Sequence, residues 1–365
     1  MKRFLFFIVL FISILVVGTW WYLCPLLKSF PRPSGPFPVG VAAYHLVDKN
    51  RLEDATPSDK RELMVNILYP SDRDNKNMTF PYQPAKMAAL ATYRAQGSII
   101  PGFVWRCLLG NIMDFAQPNA LISSKKSSYP LIVFLPGIGG DNLYQVYLED
   151  LASHGYIVVE LEPAGDVPIV VFPDGRVVEL RAQFRAAMEQ NNRNQIYDYR
   201  TKAHYRWLHD IEFVVKKLEQ INDEVASPFY QKLDLHNVGF MGHSHGGWVM
   251  ADFCATHDMC KAGINLDGWT KTVNVTTPFT KDFLFLLNES GFDVAFEKQV
   301  NVMGPKAHIV KVPGADHTAF SDYILLKQPF AYLFGVATQD ADEVRMRIAQ
   351  HIRDFFDERL RGIEV

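Results

Sequence analysis

Val238-Gly239-Phe240-Met241-Gly242-His243-Ser244-His245-Gly246-Gly247 is the stretch on which the reading of the fold turns. An apolar run with strand character ends in Gly-x-Ser-x-Gly, and a helix-like pattern follows from Trp248 to Ala255. That is the sequence form of a nucleophile elbow, a tight strand-to-helix turn that presents one serine in a strained backbone conformation. Gly242 and Gly246 suit it, because a Cβ at either position would collide with neighbouring backbone once the turn closes. Ser244 therefore reads as a covalent nucleophile, and the chain as a hydrolase or acyl transferase. A glycine-rich turn with a capping serine is the bland alternative; the strand before the motif and the helix after it weigh against it.

Upstream, Leu131-Ile132-Val133-Phe134-Leu135 is a continuous apolar run, as a parallel strand buried on both faces requires. The glycine loop Pro136-Gly137-Ile138-Gly139-Gly140 follows, then a helix over about 142–153 and a strand at 156–161. Residues 169–180 alternate around Pro173-Asp174-Gly175 and read as a hairpin. Ala203, Trp207, Ile211, Val214 and Leu218 recur at helical spacing, which predicts a long amphipathic helix over about 195–220. Strands are expected at 40–47 and 63–68 before this region, and at 263–266, 283–287 and 308–312 after the elbow. A closing helix carries Val344, Ile348, Ile352, Phe355 and Leu360. Strands alternating with helices predict a mostly parallel central sheet with helices on both faces.

The N-terminus is of another kind. Lys2 and Arg3 precede an uncharged, almost wholly apolar run over 4–27. At ~1.5 Å per residue that run is long enough to cover the ~30 Å hydrocarbon core of a bilayer. A cleaved signal peptide and a retained transmembrane anchor compete. The anchor is favoured, because apolar character persists past Gly18 and because Trp20, Trp21 and Tyr22 supply interfacial aromatics. Positive charge at the start would place the rest of the chain on the non-cytoplasmic side, periplasmic or extracytoplasmic, and cleavage would make it secreted. Residues 1–27 thus read as anchor or signal peptide, 28–38 as a Pro-rich tether, and 39–365 as one domain. Within that domain, 85–125 reads as an apolar helical insertion and 268–300 as a candidate cap loop.

A formal net charge of −3 shows no basic excess, which argues against nucleic acid as a partner. Four cysteines are too few for a disulfide scaffold. In an oxidising compartment Cys254 and Cys260 are the plausible pair, with two buried thiols the equal alternative. No Cys/His spacing suggests a metal site; the elbow positions His243 and His245 diverge from the nucleophile, and no further ligands are spaced to help them.

A serine hydroxyl needs a base within hydrogen-bond reach, and behind an elbow of this kind the acid and the histidine follow in chain order. Of His257, His308, His317 and His351, His317 is the strongest candidate. It ends the loop Pro313-Gly314-Ala315-Asp316-His317 after a strand, where glycine lets the backbone swing the ring over the elbow. His308 and His351 read as solvated structural residues, and His257 faces the wrong way for its serine. Two acids stay open: Asp267 ends the strand after the elbow and Glu289 the next, and either could fix the histidine tautomer. The oxyanion hole calls for two backbone N–H groups. His245 supplies one, and Ile138 in the glycine loop supplies the other.

Residues 37–335 resemble the platelet-activating factor acetylhydrolases and their dienelactone hydrolase-like relatives. The resemblance is carried by Arg61-Glu62-Leu63-Met64-Val65-Asn66-Ile67-Leu68-Tyr69-Pro70, by Tyr129-Pro130-Leu131-Ile132-Val133-Phe134 and by Leu151-Ala152-Ser153-His154-Gly155-Tyr156-Ile157-Val158. The run 242–247 and Gly263-Ile264-Asn265-Leu266-Asp267-Gly268-Trp269 complete it. It implies an α/β-hydrolase fold working without a cofactor. In that family the acid lies in a Leu-Asp-x-Trp stretch, which implies Asp267 rather than Glu289, and it supports His317 as base with Ile138 and His245 as oxyanion donors. One departure stands out. The family's glycine loop usually opens His-Gly, and here Pro136 brings neither a side-chain hydrogen bond nor a backbone donor. The family cleaves short or oxidised acyl chains from phospholipids, or other small esters. The expected activity is that of a membrane-anchored serine esterase acting through an acyl-enzyme on Ser244. Polyester or xenobiotic esters cleaved by the same triad are one alternative, and a membrane-tethered, non-catalytic binding module is another.

Overall fold

The structure is a computed structural model of the 365-residue chain. It describes residue 18 and residues 24–53, 60–72, 78–268, 278–290, 294–327, 330–333, 336 and 340–364. Most of the apolar run at 4–27 lies outside these, and no helix among the described residues is long and apolar enough to cross a membrane. The last residues of the run are described, and they pack into the domain. Cys24 is disulfide-bonded to Cys107, the Leu26 N–H donates to the Leu108 carbonyl, and Leu27, 1% exposed, bridges Leu326. Residues 24–27, which hydropathy assigns to the apolar run, therefore pack into the domain, since a leucine gains from a protein core as it does from a bilayer.

Nine strands form the main sheet: β1 (Val39–Leu52), β2 (Lys60–Pro70), β3 (Ala116–Pro118), β4 (Tyr129–Leu135), β5 (Ile157–Pro163), β6 (Leu233–His243), β7 (Cys260–Leu266), β8 (Asp282–Leu287) and β9 (Ala307–Lys311). Their spatial order is β9-β8-β7-β6-β4-β5-β2-β1-β3. β2 runs antiparallel to both neighbours, and every other pairing in the sheet is parallel. The central β4 and β5 are buried at every residue, which explains why neither shows an apolar–polar alternation.

Seven helices matter for the site: α1 (Pro84–Ala95), α2 (Gly102–Leu109), α3 (Gln145–Ser153), α4 (Ala182–Glu189), α5 (Arg193–Asp223), α6 (His245–Thr256) and α7 (Ala341–Arg361). Ile132, Phe134 and Met241 share one core with α3 and α7, while Leu131, Val133 and Phe240 share the other with α5 and α6. Alternate residues of one strand thus serve opposite cores, as the period of two dictates. α5 starts where the Asn192 side chain accepts the Gln195 N–H, and it buries Trp207, Ile211, Val214 and Leu218. α7 ends at Gly362 in the left-handed region, φ 64°, a C-terminal stop that glycine adopts without a Cβ penalty.

The Pro-rich segment 28–38 lies against the domain. Phe30 is buried, Ser34 hydrogen-bonds Asp150, and Gly35 and Phe37 donate their N–H groups to Ser153. The 85–125 insertion forms α1 and α2, whose Leu90, Ala91, Leu108 and Leu109 join the core shared with α3. Of the candidate cap loop 268–300, residues 269–277 and 291–293 lie outside the described residues, and 282–287 is the sheet strand β8. Cys254 and Cys260, left open between a bridge and two thiols, are bridged, and two disulfides suit an oxidising, extracytoplasmic compartment.

One buried polar network fixes the sheet to α5. Asp166, after β5, accepts from Trp207 Nε1 at 2.8 Å, Arg206 Nη2 at 2.7 Å and Arg181 Nη1 at 2.7 Å. Its own carbonyl accepts the Gly139 N–H at 2.9 Å, so the network also holds the glycine loop beside the elbow.

Candidate active site

The elbow forms between β6 and α6. Ser244 sits at φ 54° and ψ −119°, a region that costs an L-residue conformational energy and that persists only where the surroundings impose it. They do so by contact. A Cβ on Gly242 would lie on the Gly246 carbonyl, and one on Gly246 on the Pro136 and Leu135 carbonyls. Both glycines are required for the turn to close.

His317 follows β9 at the start of a 3₁₀ turn, His317–Phe320. Its Nδ1 lies 2.7 Å from Asp267 Oδ2. Asp267 ends β7, is 1% exposed, and has a positive φ of 50° that aims its carboxylate at the histidine loop. Asn288, just past β8, donates its N–H to Asp267 Oδ1 at 2.8 Å and its carboxamide N–H to Oδ2 at 3.0 Å. Burial pushes the Asp267 carboxyl up, but hydrogen bonds from His317 and Asn288 outweigh it and hold it below the ordinary carboxylate value. The Asp267–His317 pair is therefore built around an ionised acid.

Glu289, the other acid, is not brought to His317. Its Oε2 accepts the Gly314 N–H at 3.1 Å, and its own N–H donates to the Ala315 carbonyl. It braces the loop that carries His317. The remaining histidines lie elsewhere: His308 pairs with Asp282 and His257 with Glu212, and His351 sits on α7.

The two expected oxyanion donors are placed as follows. His245 is the first residue of α6, where a backbone N–H has no intrahelical acceptor. In the glycine loop, Gly137 donates its N–H to the Tyr144 hydroxyl at 2.9 Å and Gly139 donates to Asp166. The Ile138 N–H between them makes no hydrogen bond to a described residue. Two anchored neighbours thus leave one free donor in a fixed loop.

Tyr144 and His243, to neither of which the sequence assigns a catalytic role, connect the whole site. The Tyr144 oxygen accepts from Gly137 and lies 2.9 Å from His243 Nδ1. His243 Nε2 lies 3.0 Å from the His317 carbonyl oxygen. A carbonyl only accepts, so Nε2 carries the proton and Nδ1 accepts the Tyr144 O–H. Burial, with the neighbouring His317 second, pushes His243 down to about 3, so this imidazole stays neutral. Its ring also packs on that of His317, centroids 4.6 Å apart. Glycine loop, elbow and base loop are therefore tied by one file of hydrogen bonds. Tyr144 replaces the anchor that Pro136 cannot provide. Neither it nor Asn288 lies in a catalytic motif; the place of Asn288 beside Asp267 could be found only from the register that sets Leu266 opposite Leu286.

No group of three or more His, Cys, Asp or Glu side chains among the described residues is arranged to hold a metal ion. His243 and His245 point into different cores: His243 faces Tyr144, and His245 packs on Trp207.

A mostly parallel sheet with a strand–serine–helix elbow, and with acid and base carried after β7 and β9, defines an α/β-hydrolase-like protein. A ferulic acid esterase from Streptomyces cinnamoneus shares this fold with a TM-score of 0.68 at 23% identity, over 93% of this chain and 94% of that one. Residues 26–360 match the family described as platelet-activating factor acetylhydrolase, isoform II, and the chain belongs to it. A platelet-activating factor acetylhydrolase from Bos taurus is 25% identical over 341 residues, covering 84% of this chain and 71% of the relative. A probable 1-alkyl-2-acetylglycerophosphocholine esterase from Arthroderma benhamiae is 24% identical over 318 residues, covering 80% and 76%.

Proposed function

We propose that this chain is a serine esterase that hydrolyses a short-acyl or oxidised phospholipid-like ester through an acyl-enzyme on Ser244. The observation that carries the reading is the Asp267–His317 pair, held against the residue that precedes a strained elbow serine. Ser244 Oγ attacks the ester carbonyl carbon while the free nitrogen of His317 takes its proton. Asp267 holds the proton on His317 Nδ1 and stabilises the imidazolium. The N–H groups of Ile138 and His245 receive the oxyanion. Collapse of the tetrahedral intermediate expels the alcohol, which takes its proton from His317. Water, deprotonated by the same histidine, then attacks the acyl-enzyme and releases the acid.

Family membership and the names of the relatives support a lipid-like substrate. The apolar run before residue 24 supports a catalytic domain held at a membrane on its export side. A fluorophosphonate probe tests the chemistry. It labels Ser244 in the wild type and nothing at that site in Ser244→Ala, which also loses turnover. Retained turnover in Ser244→Ala refutes the nucleophile, and an unlabelled but folded wild type identifies a non-catalytic binding module.

A further inference from the structure

The buried arginines of this domain come with carboxylates. Arg61 bonds Asp210 at 2.6 Å, and Arg181 and Arg206 each bond Asp166 at 2.7 Å. Arg200 breaks the pattern. It lies on α5 with its side chain half-buried and its Nε wholly buried, yet it makes no hydrogen bond or ion pair with any described residue. Burial pulls its ionisation down, and no anion of a described residue offsets that as Asp166 does for Arg206.

Its surroundings repeat the theme. One helical turn on, His204 is 1% exposed with Nδ1 unpartnered; its Nε2 is held by Asp252 at 2.8 Å. His245, the residue after the nucleophile, is 6% exposed with Nε2 unpartnered, and its ring packs edge-on to His204 at 5.9 Å and to Trp207 at 5.1 Å. The Arg200 charge reaches that imidazole: burial first, then His204, Arg200 and Arg206, hold His245 well below its ordinary value. Arg200 Nε, His204 Nδ1 and His245 Nε2 are thus three buried nitrogens without partners among the described residues, carried by one turn of α5 and by the start of α6, which the His204–His245 ring contact joins beside the elbow. Buried polar atoms are nearly always satisfied, and a guanidinium more stringently than most. A cation near a candidate reaction centre, with no carboxylate among the described residues to pair it, is suited to receive an anion.

We infer that Arg200 is a specificity-determining residue that binds an anionic group, carboxylate or phosphate, carried by the ester substrate; this rests on the esterase reading above. Arg200 supplies charge and a planar donor edge, and His245 Nε2 and His204 Nδ1 are further buried nitrogens without partners among the described residues. No bond is made or broken at this subsite. It raises the occupancy of esters whose charge lies within reach of Ser244, and it leaves esters without a charge untouched.

The test compares matched pairs on the full chain. On the acyl side, the 4-nitrophenyl monoester of glutaric acid is set against 4-nitrophenyl pentanoate. On the alcohol side, dibutyrylglycerol 3-phosphate is set against dibutyrylglycerol. The wild type should favour the anionic member of at least one pair about tenfold in kcat/KM, as expected of a charged contact, and the pair that responds tells carboxylate from phosphate. Arg200→Gln should erase that preference through KM while changing the neutral member less than twofold, and Arg200→Lys should keep part of it. Raised salt should weaken the preference in the wild type alone. Equal rates within both pairs overturn the inference, as does an Arg200→Gln protein that slows neutral esters equally. Fluorophosphonate labelling of Ser244 in the same preparations separates the two failures. Labelled enzyme without a charge preference refutes the subsite, and unlabelled enzyme refutes the esterase reading beneath it.

Discussion

Replacing Tyr144 by phenylalanine removes one oxygen and leaves two buried groups without partners. The Gly137 N–H loses its acceptor at 2.9 Å, and His243 Nδ1 loses its donor at 2.9 Å. Each unsatisfied buried group costs about 1–3 kcal/mol. The lost hydroxyl no longer has to be desolvated, so a net loss of about 2 kcal/mol in stability is expected, read as a drop of several degrees in Tm. The kinetic effect follows from position. Gly137 precedes Ile138, and deleting one oxyanion donor outright costs about 10²–10³ in kcat. Tyr144→Phe leaves the Ile138 donor present and Gly139 still held by Asp166, so part of that cost is expected. We expect kcat to fall about 10- to 30-fold, because the misaligned donor acts mainly on the transition state, with KM within twofold. The assay is steady-state hydrolysis of a short-acyl aryl ester, alongside the rate at which a fluorophosphonate modifies Ser244, which should slow in parallel. A KM increase at unchanged kcat would place Tyr144 in substrate binding and refute the reasoning. So would a variant with normal kcat and a lowered Tm, which would make the hydroxyl purely structural.

The two acids separate cleanly. Asp267→Asn should lower kcat about 10⁴-fold, because Asn cannot hold the productive His317 tautomer, whereas Glu289→Gln should stay within about threefold, since its carboxylate only braces Gly314; reversed magnitudes in paired kcat measurements would exchange their roles. Burial pushes Asp322 and Glu160 up to about 7. For a carboxyl whose folded value is raised, the native state holds the proton longer than the unfolded chain, so stability falls as pH rises from about 4 to about 7. Tm should accordingly be higher at pH 5.5 than at pH 8, and a Tm that climbs across that interval would contradict it.

Much of this fold could be read one segment at a time. The Leu131–Leu135 run, the heptad-like spacing on α5 and the Gly-x-Ser-x-Gly turn are local consequences of burial on two faces, burial on one face, and a backbone without room for a Cβ. The site was legible where chemistry is carried by a motif, at Ser244 and in the loop of His317. It was not legible where a role depends on which strand end lies next to which. Asp267 and Glu289 are both acids that close a strand, and residue spacing treats them alike. The same blindness covered Cys24, whose hydropathic surroundings concealed a covalent partner in α2.

The layered α/β architecture was legible in the sequence, and so was Ser244 as the candidate nucleophile, because strand, turn and helix propensities act over a few residues. The tertiary structure alone decided the rest. Strand register and the left-handed backbone at Asp267 bring its carboxylate to His317, while Glu289 is turned to the backbone of Gly314. Residues far apart in the chain, Gly137, Tyr144, His243 and His317, become one hydrogen-bonded file only after the sheet has assembled. The proposal for Arg200 rests on the lack of a paired carboxylate among the described residues around it, which only the folded chain reveals.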